Sequence, residues 1–254
     1  MFRADGSRPI APKAAGAPPT VKGQQTRQLI IECSSRLFDR QGFAATSLSQ
    51  LVASTGLTRG AFYFHFESKD ALAVAIVEAQ VQRWPVMRTE VRKLEPDPLR
   101  ALLTFAFRAA FAVQSDPVVR AANRLMRDRA QIRQEFPETF SWWTGTVEQF
   151  LAEAAGRGEL PDLSHLVPSH SQSEPESAPA AAAAAGRRHL AERIVAAWLG
   201  YQLVAGTDAD RRADLLFTSW MTLIPQLAVS RTMQEDLCHL LEHLTRQLRT
   251  AQSS

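Results

Sequence analysis

The chain has 254 residues and a formal net charge of +3; its 45% hydrophobic and 22% charged residues can fill one large core or two small ones, which excludes wholesale disorder. The best apolar run, Ala101 to Val113, carries Arg108 and falls short of the roughly 18 apolar residues of a membrane span, and the basic opening segment lacks the apolar stretch of a secretory signal, so a cytoplasmic location is expected. Two distant cysteines, Cys33 and Cys238, exclude a disulfide-rich scaffold and a cysteine-based zinc site.

Residues 1–25 are rich in Pro, Ala, Gly and Lys/Arg, show no apolar periodicity and are expected to form a flexible basic arm. Leu29, Ile30, Cys33, Leu37 and Phe38 then recur at three- and four-residue steps as far as Gly42, the pattern of a helix with one buried face. Ser47 followed by Gln50 is a capping-box pair, and Leu48, Leu51 and Val52 give a short amphipathic helix. Gly56 sits where a sharp turn must leave that helix through a left-handed conformation. Thr58 is placed to cap a second short helix, with Phe62 and Phe66 facing inward. Leu72, Ala75, Ile76, Ala79 and Trp84 continue the rhythm in a long helix from Lys69 towards Leu94, which Pro85 is expected to kink or interrupt. Further helices are predicted at 97–114, 117–130, 138–157, 187–206, 211–227 and 231–250. Between them, the Ser-, Pro-, Glu- and His-containing stretch from Pro161 to about Gly186 is too long for an ordinary connection and is expected to be a mobile insertion, its alanine run free to feed the next helix. No alternating strand pattern occurs, so the fold class is all-α, with nine or ten helices.

The chemistry concentrates between residues 46 and 69. Residues 1–69 hold nine Lys/Arg against four Asp/Glu, and residues 70–254 hold twenty against twenty-two, so positive charge gathers at the end that carries the two short helices. Two short helices joined by a glycine-containing turn form a helix-turn-helix, whose second helix fits a DNA major groove. Arg59 can contact a guanine edge or a phosphate, and Gly60 lets the backbone approach closely. Tyr63, His65, Thr46 and Lys69 can bond phosphate oxygens. The full candidate DNA-binding set is Thr46, Ser47, Thr58, Arg59, Gly60, Ala61, Tyr63, Phe64, His65 and Lys69.

Arg27 through Leu72 resembles the DNA-binding domain of TetR-type repressors. The likeness lies in Leu37-Phe38-Asp39-Arg40-Gln41-Gly42-Phe43, in Thr46-Ser47-Leu48, in Gly60-Ala61-Phe62-Tyr63-Phe64-His65-Phe66 and in Ser68-Lys69-Asp70-Ala71-Leu72, with Phe62 standing where many members carry an aliphatic residue. It implies a three-helix DNA-binding domain over 26–68 and a larger helical ligand-binding and dimerisation domain over 69–250. It also implies a nucleoid-associated homodimer on pseudo-palindromic operator DNA, with its last two main helices packed as a four-helix bundle. A narrower likeness, to actinobacterial gamma-butyrolactone receptors, is carried by the Asp116-Pro117-Val118-Val119-Arg120-Ala121 segment, the Pro137…Phe140…Trp143 spacing, Gly158-Glu159-Leu160 and the stretch from Trp220 to Pro225. That likeness implies a small apolar effector that releases the repressor from secondary-metabolite genes, with Trp143 lining its pocket; the 164–186 segment departs from the usual length.

Phe107, Phe111, Leu125, Phe140 and Val204 are the expected apolar neighbours of Trp143, with Gln202 as a polar anchor. The apolar faces Leu190, Ile194, Val195, Trp198 and Leu215, Leu216, Ser219, Trp220, Leu223 are expected to form the dimer interface. His239 and His243 have a metal-compatible i, i+4 spacing, yet no metalloprotease carboxylate accompanies them, so neither metal nor cofactor is expected. No phosphate-cradling glycine loop or nucleophile elbow is present, and the chain is not expected to be an enzyme. On the residues alone two other readings stay open: a helical dimeric interaction protein without DNA binding, and an all-α enzyme with a dispersed site.

Overall fold

A computed structural model describes residues 20–166, 179–205 and 208–250; residues 1–19 of the expected arm and 167–178 of the expected insertion lie outside the described residues. Among the described residues there are ten α-helices and no strand: α1 (Val21–Ala45), α2 (Leu48–Thr55), α3 (Arg59–His65), α4 (Lys69–Leu94), α5 (Pro98–Ser115), α6 (Pro117–Arg127), α7 (Phe140–Gly156), α8 (Pro179–Ala205), α9 (Ala209–Leu227) and α10 (Arg231–Thr250).

The helices begin where side chains satisfy the orphan amides of a first turn. Thr20 Oγ1 accepts from the Gly23 amide, so residues 21–25, expected in the arm, are the first turn of α1. Asp97 and Asp116 cap α5 and α6, each followed by a proline at the first helical position, where its missing N–H costs nothing. Two open points of the helix pattern are decided. Residues 179–186, assigned to the insertion, are helical and open α8, because a run of alanines loses almost no side-chain entropy in a helix. Within α4, of the kink or break expected at Pro85, the break does not occur: the helix stays one element across it, beside the buried Trp84.

The apolar residues form two main cores and a small third cluster of Trp84, Ala109, Ala112, Val113 and Val119. The first gathers Ile30, Ile31 and Phe38 of α1, Leu51 of α2, Phe62 of α3 and Leu72 and Ile76 of α4 around Leu125 of α6. The second is built by α5, α7, α8, α9 and α10 and holds Phe105, Phe150, Leu190, Leu216, Trp220 and Leu241. Leu190, Ile194, Val195, Leu216 and Trp220, expected at a dimer interface, are buried inside the protomer instead. Those faces close the second core, and the side of α8 and α9 left outward carries Leu199 and Met221, each 40% exposed, beside the small Ala196 and the polar Thr218 and Thr222.

Polar contacts tie α1 to α6. Gly42 leaves the helical region with φ 78° and ψ 178°, a backbone conformation open almost only to glycine. The chain thereby turns the Phe43 amide to Asp128 Oδ2 (2.9 Å). Arg124 donates to the Asp39 and Arg40 carbonyls at 2.7 and 3.1 Å, and Arg120 pairs with the Asp39 carboxylate at 2.8 Å. A Cβ at Gly42 would stand 2.9 Å from Arg124 Nε. Gly42→Ala should therefore lose about 1–3 kcal/mol of unfolding free energy. Urea unfolding would show it, and an unchanged midpoint would mean that this turn relaxes without strain.

Candidate nucleic-acid interface and aromatic cavity

The helix-turn-helix is assembled by local bonds that its own sequence supplies. Ser47 Oγ accepts from the Gln50 amide at 3.2 Å while Gln50 Oε1 accepts from the Ser47 amide at 2.7 Å, the reciprocal capping box expected there. Gly56 takes φ 67° to end α2, and Thr58 Oγ1 accepts from the Ala61 amide to start α3. Phe62 is fully buried and Phe66 nearly so, which anchors α3 on its inner side.

The opposite side of α3 faces out. Arg59 and Gly60 are exposed, Phe64 is 71% exposed, and nothing lies within 4 Å of where a Gly60 side chain would begin. The Arg59 guanidinium rests 5.5 Å from the Tyr63 ring centre, one turn on, a cation–π contact that holds the arginine along the exposed face. Ser47 and Thr58 are exposed at the two helix starts, Ala61 is half-buried between them, and Tyr63 stands outward. His65 is half-buried, its ring against Phe64 at 5.2 Å. Burial, and then the nearby Arg27 charge, push its imidazole below the ordinary range, so at neutral pH it offers a neutral ring with one N–H.

Two expected DNA contacts are reassigned. Thr46 is buried, and its hydroxyl donates to the Gly42 carbonyl at 2.7 Å, closing the end of α1 instead of reaching outward. Lys69 turns its ammonium inward onto the Phe43 and Thr46 carbonyls at 2.9 and 3.0 Å, with the Phe43 ring centre 4.1 Å away. At most one of its three N–H groups is left for a phosphate. Thr46 thus closes the end of α1 on itself, and Lys69 ties the start of α4 to it.

In the second core, Trp143 of α7 stacks on Trp198 of α8 with ring centres 5.0 Å apart and planes at 25°. Trp84 of α4 and Phe105 of α5 each approach Trp143 to 5.2 Å. Beside this stack lies a cavity of about 30 Å³, enough for one water, with Trp143, Trp198, Phe105, Tyr201, Leu216 and Trp220 among its walls. A larger guest must displace one or more of these walls. The Gln202 amide comes near the Tyr201 phenol without a well-formed hydrogen bond between them, and burial raises that phenol well above its ordinary range, so it stays protonated.

Of the expected pocket residues, Trp143 lines this cavity and Gln202 stands next to it; the others do not line it. Phe107 is buried elsewhere in the second core, and Leu125 belongs to the first core, where it anchors α6 to the DNA-facing helices. Phe111, Phe140 and Val204 are 43%, 44% and 58% exposed, because the helical phase turns them away from the stack. Sequence reasoning missed Trp198 and Tyr201 as cavity walls, having assigned the former to a dimer interface. Their spacing with Gln202, at i, i+3 and i+4, was the available signal. Among the described residues no group of His, Cys, Asp or Glu could hold a metal ion.

Residues 30–76 match the family model of bacterial regulatory proteins, tetR family. The A-factor receptor protein of Streptomyces griseus is 27% identical over 208 residues, 80% of this chain; the alignment spans 64% of that receptor's length. A structure solved as the molecular basis for control of antibiotic production by bacterial hormones is 31% identical, with a TM-score of 0.65 over 81% of this chain and 98% of that one. CprB of Streptomyces coelicolor, a TetR family protein solved with its operator sequence, is 26% identical with a TM-score of 0.66, over 89% of this chain and 98% of that one.

The inward lysine yields a test of its own. Lys69→Ala should cost about 1–3 kcal/mol of stability, since it leaves two carbonyls at the end of α1 without their charged donor. Thermal melts of the DNA-free protein measure this; a melt like wild type would return Lys69 to a purely surface role.

Proposed function

Because the chain belongs to the tetR family of bacterial regulatory proteins, we propose that it is a ligand-responsive transcriptional repressor that binds operator DNA as a homodimer. The observation that carries this is the exposed Arg59–Tyr63 side of a short capped helix whose other side is fixed by the buried Phe62. Two such helices, one from each protomer, enter successive major grooves about 34 Å apart. Arg59 reads a guanine edge, Tyr63 and the neutral His65 bond phosphate, and Ser47 and Thr58 present helix starts to the backbone. The protein works in the cytoplasm on the nucleoid, and no described helix is long and apolar enough to cross a membrane. Protomers associate through the outward side of α8 and α9, around Leu199 and Met221.

The effector is a small apolar molecule of the gamma-butyrolactone kind, acting on secondary-metabolite genes. It enters between Trp143 and Trp198, and because the free cavity is small, its entry displaces Trp143, whose ring also meets Trp84. Trp84 sits on α4, the helix whose first residue, Lys69, holds the end of α1. A shift of α4 respaces the two DNA-facing heads. To turn a mostly bound population into a mostly free one, the effector must prefer the released state by about 5 kcal/mol.

Arg59→Ala should lose roughly 1–3 kcal/mol of base discrimination per half-site, measured by titrating operator and random duplex at several salt concentrations. An unchanged preference would remove Arg59 as a base reader. Trp143→Phe keeps a ring in the stack but removes the broad indole wall. It should hold operator at wild-type affinity while needing about tenfold more butyrolactone for release, roughly the worth of one lost aromatic contact. Release at the wild-type concentration would take Trp143 out of the effector's path.

A further inference from the structure

The α8 wall of the cavity carries polar hydrogens that the protein leaves unmet. Trp198 and Tyr201 both line the space, and among the described residues neither Trp198 Nε1 nor Tyr201 Oη meets a hydrogen-bond partner of good geometry; Gln202 Nε2, in the same turn, lies near the phenol oxygen without a well-formed bond. Positions 198, 201 and 202 share one face of α8, and the Trp198 and Tyr201 rings meet edge to face at 6.0 Å. Tyr201 is 5% exposed, so its hydroxyl has little recourse to solvent. An unmet buried donor destabilises a protein unless something else uses it.

The remaining walls are mainly apolar, and their polar groups are the Trp143 and Trp220 indole N–H groups and the Ser219 hydroxyl. Leu102, Val147, Ile194, Leu216 and Leu223 are apolar, and the Ser219 hydroxyl is occupied by the Leu215 carbonyl at 2.7 Å. The unmet groups can all donate, and only the phenol can also accept. An indole N–H and an amide NH₂ cannot accept, and the phenol keeps its proton because burial disfavours the phenolate. Arg212 is close enough for its charge to act on Tyr201 and favours electron-rich oxygen at that end of the cavity.

We propose that this turn of α8 is the specificity reader of the cavity: Trp198 and Tyr201, with Gln202 beside them, select an apolar molecule that brings a carbonyl-type oxygen to the α8 end. A carbonyl oxygen has two accessible lone pairs and takes two convergent donors at once, whereas an ether of the same outline is a weaker acceptor. The proposal rests on the reading of the cavity as the effector site. It assigns the selectivity of that site to groups on α8, with Trp143 as the apolar wall opposite.

The test uses two probes of one shape, γ-decalactone and 2-hexyltetrahydrofuran, which differ by the carbonyl oxygen. Both are titrated by tryptophan fluorescence into the full-length wild-type protein and Tyr201→Phe. Wild type should bind the lactone about tenfold or more tighter than the ether. Tyr201→Phe should narrow that gap to about threefold while, free of any probe, melting at the wild-type temperature or above, because the variant has one fewer unmet donor. Equal affinity of wild type for both probes overturns the reader and leaves the cavity as an effector site. A gap preserved in Tyr201→Phe, or a free variant melting several degrees lower, overturns it too, the latter by giving the hydroxyl a structural partner. Binding of neither probe overturns the effector cavity itself and the reader with it.

Discussion

The end of α1 is tied off by side chains from two other helices, and the position of the DNA-facing surface depends on those ties. A helix ends with carbonyls that its own backbone cannot satisfy. Here Arg124 of α6 takes those of Asp39 and Arg40, and Lys69 of α4 takes those of Phe43 and Thr46. Asp128 meets the Phe43 amide that the Gly42 turn presents. The Arg120–Asp39 ion pair is partly exposed and contributes little alone. The charged bonds to backbone carbonyls are of the stronger kind, and removing either partner would leave the other unsatisfied near the core.

These ties make α4 and α6 common property of the two cores. Leu125 and Val118 of α6 complete the core under α3, while Val119, on the next side of the same helix, packs with Trp84, Ala109 and Val113. Arg83 of α4 meets Asp116 at the start of α6 at 2.9 Å. A displacement of Trp84 therefore has no soft linker in which to dissipate. Close-packed interiors shift between discrete arrangements and do not deform continuously, so on the proposed reading a molecule that parts Trp143 from Trp198 would act on the heads through rigid elements.

On the proposed reading, the same aromatic cluster is an effector site that the free protein keeps nearly closed. Trp84, Phe105, Trp143 and Trp198 fill one another's space in the free protein. That burial stabilises the protomer, but it leaves the donors of α8 unmet. Stability and recognition pull in opposite directions at this wall, as they do at sites shaped for a partner that is absent.

The sequence by itself determined what rests on neighbours within a few residues. Ser47 with Gln50, Gly56 and Thr58 lie within twelve positions and build the helix-turn-helix through local bonds, so its helices and the inward Phe62 and Phe66 were legible in advance. What only the tertiary structure decided is which way long or ambiguous side chains point. Lys69 and Thr46 are polar residues at a DNA-facing edge, yet the unsatisfied carbonyls at the end of α1, some 23 to 26 positions before Lys69, draw the lysine inward. Leu125 and Trp198 are apolar residues on amphipathic helices. Periodicity shows that each has a buried face, but a helix cannot state which neighbour will cover it, because one apolar stripe fits a head core, a cavity wall or a second protomer equally well. Long-range contacts made that choice, placing Leu125 beneath the DNA-facing helices and Trp198 against Trp143.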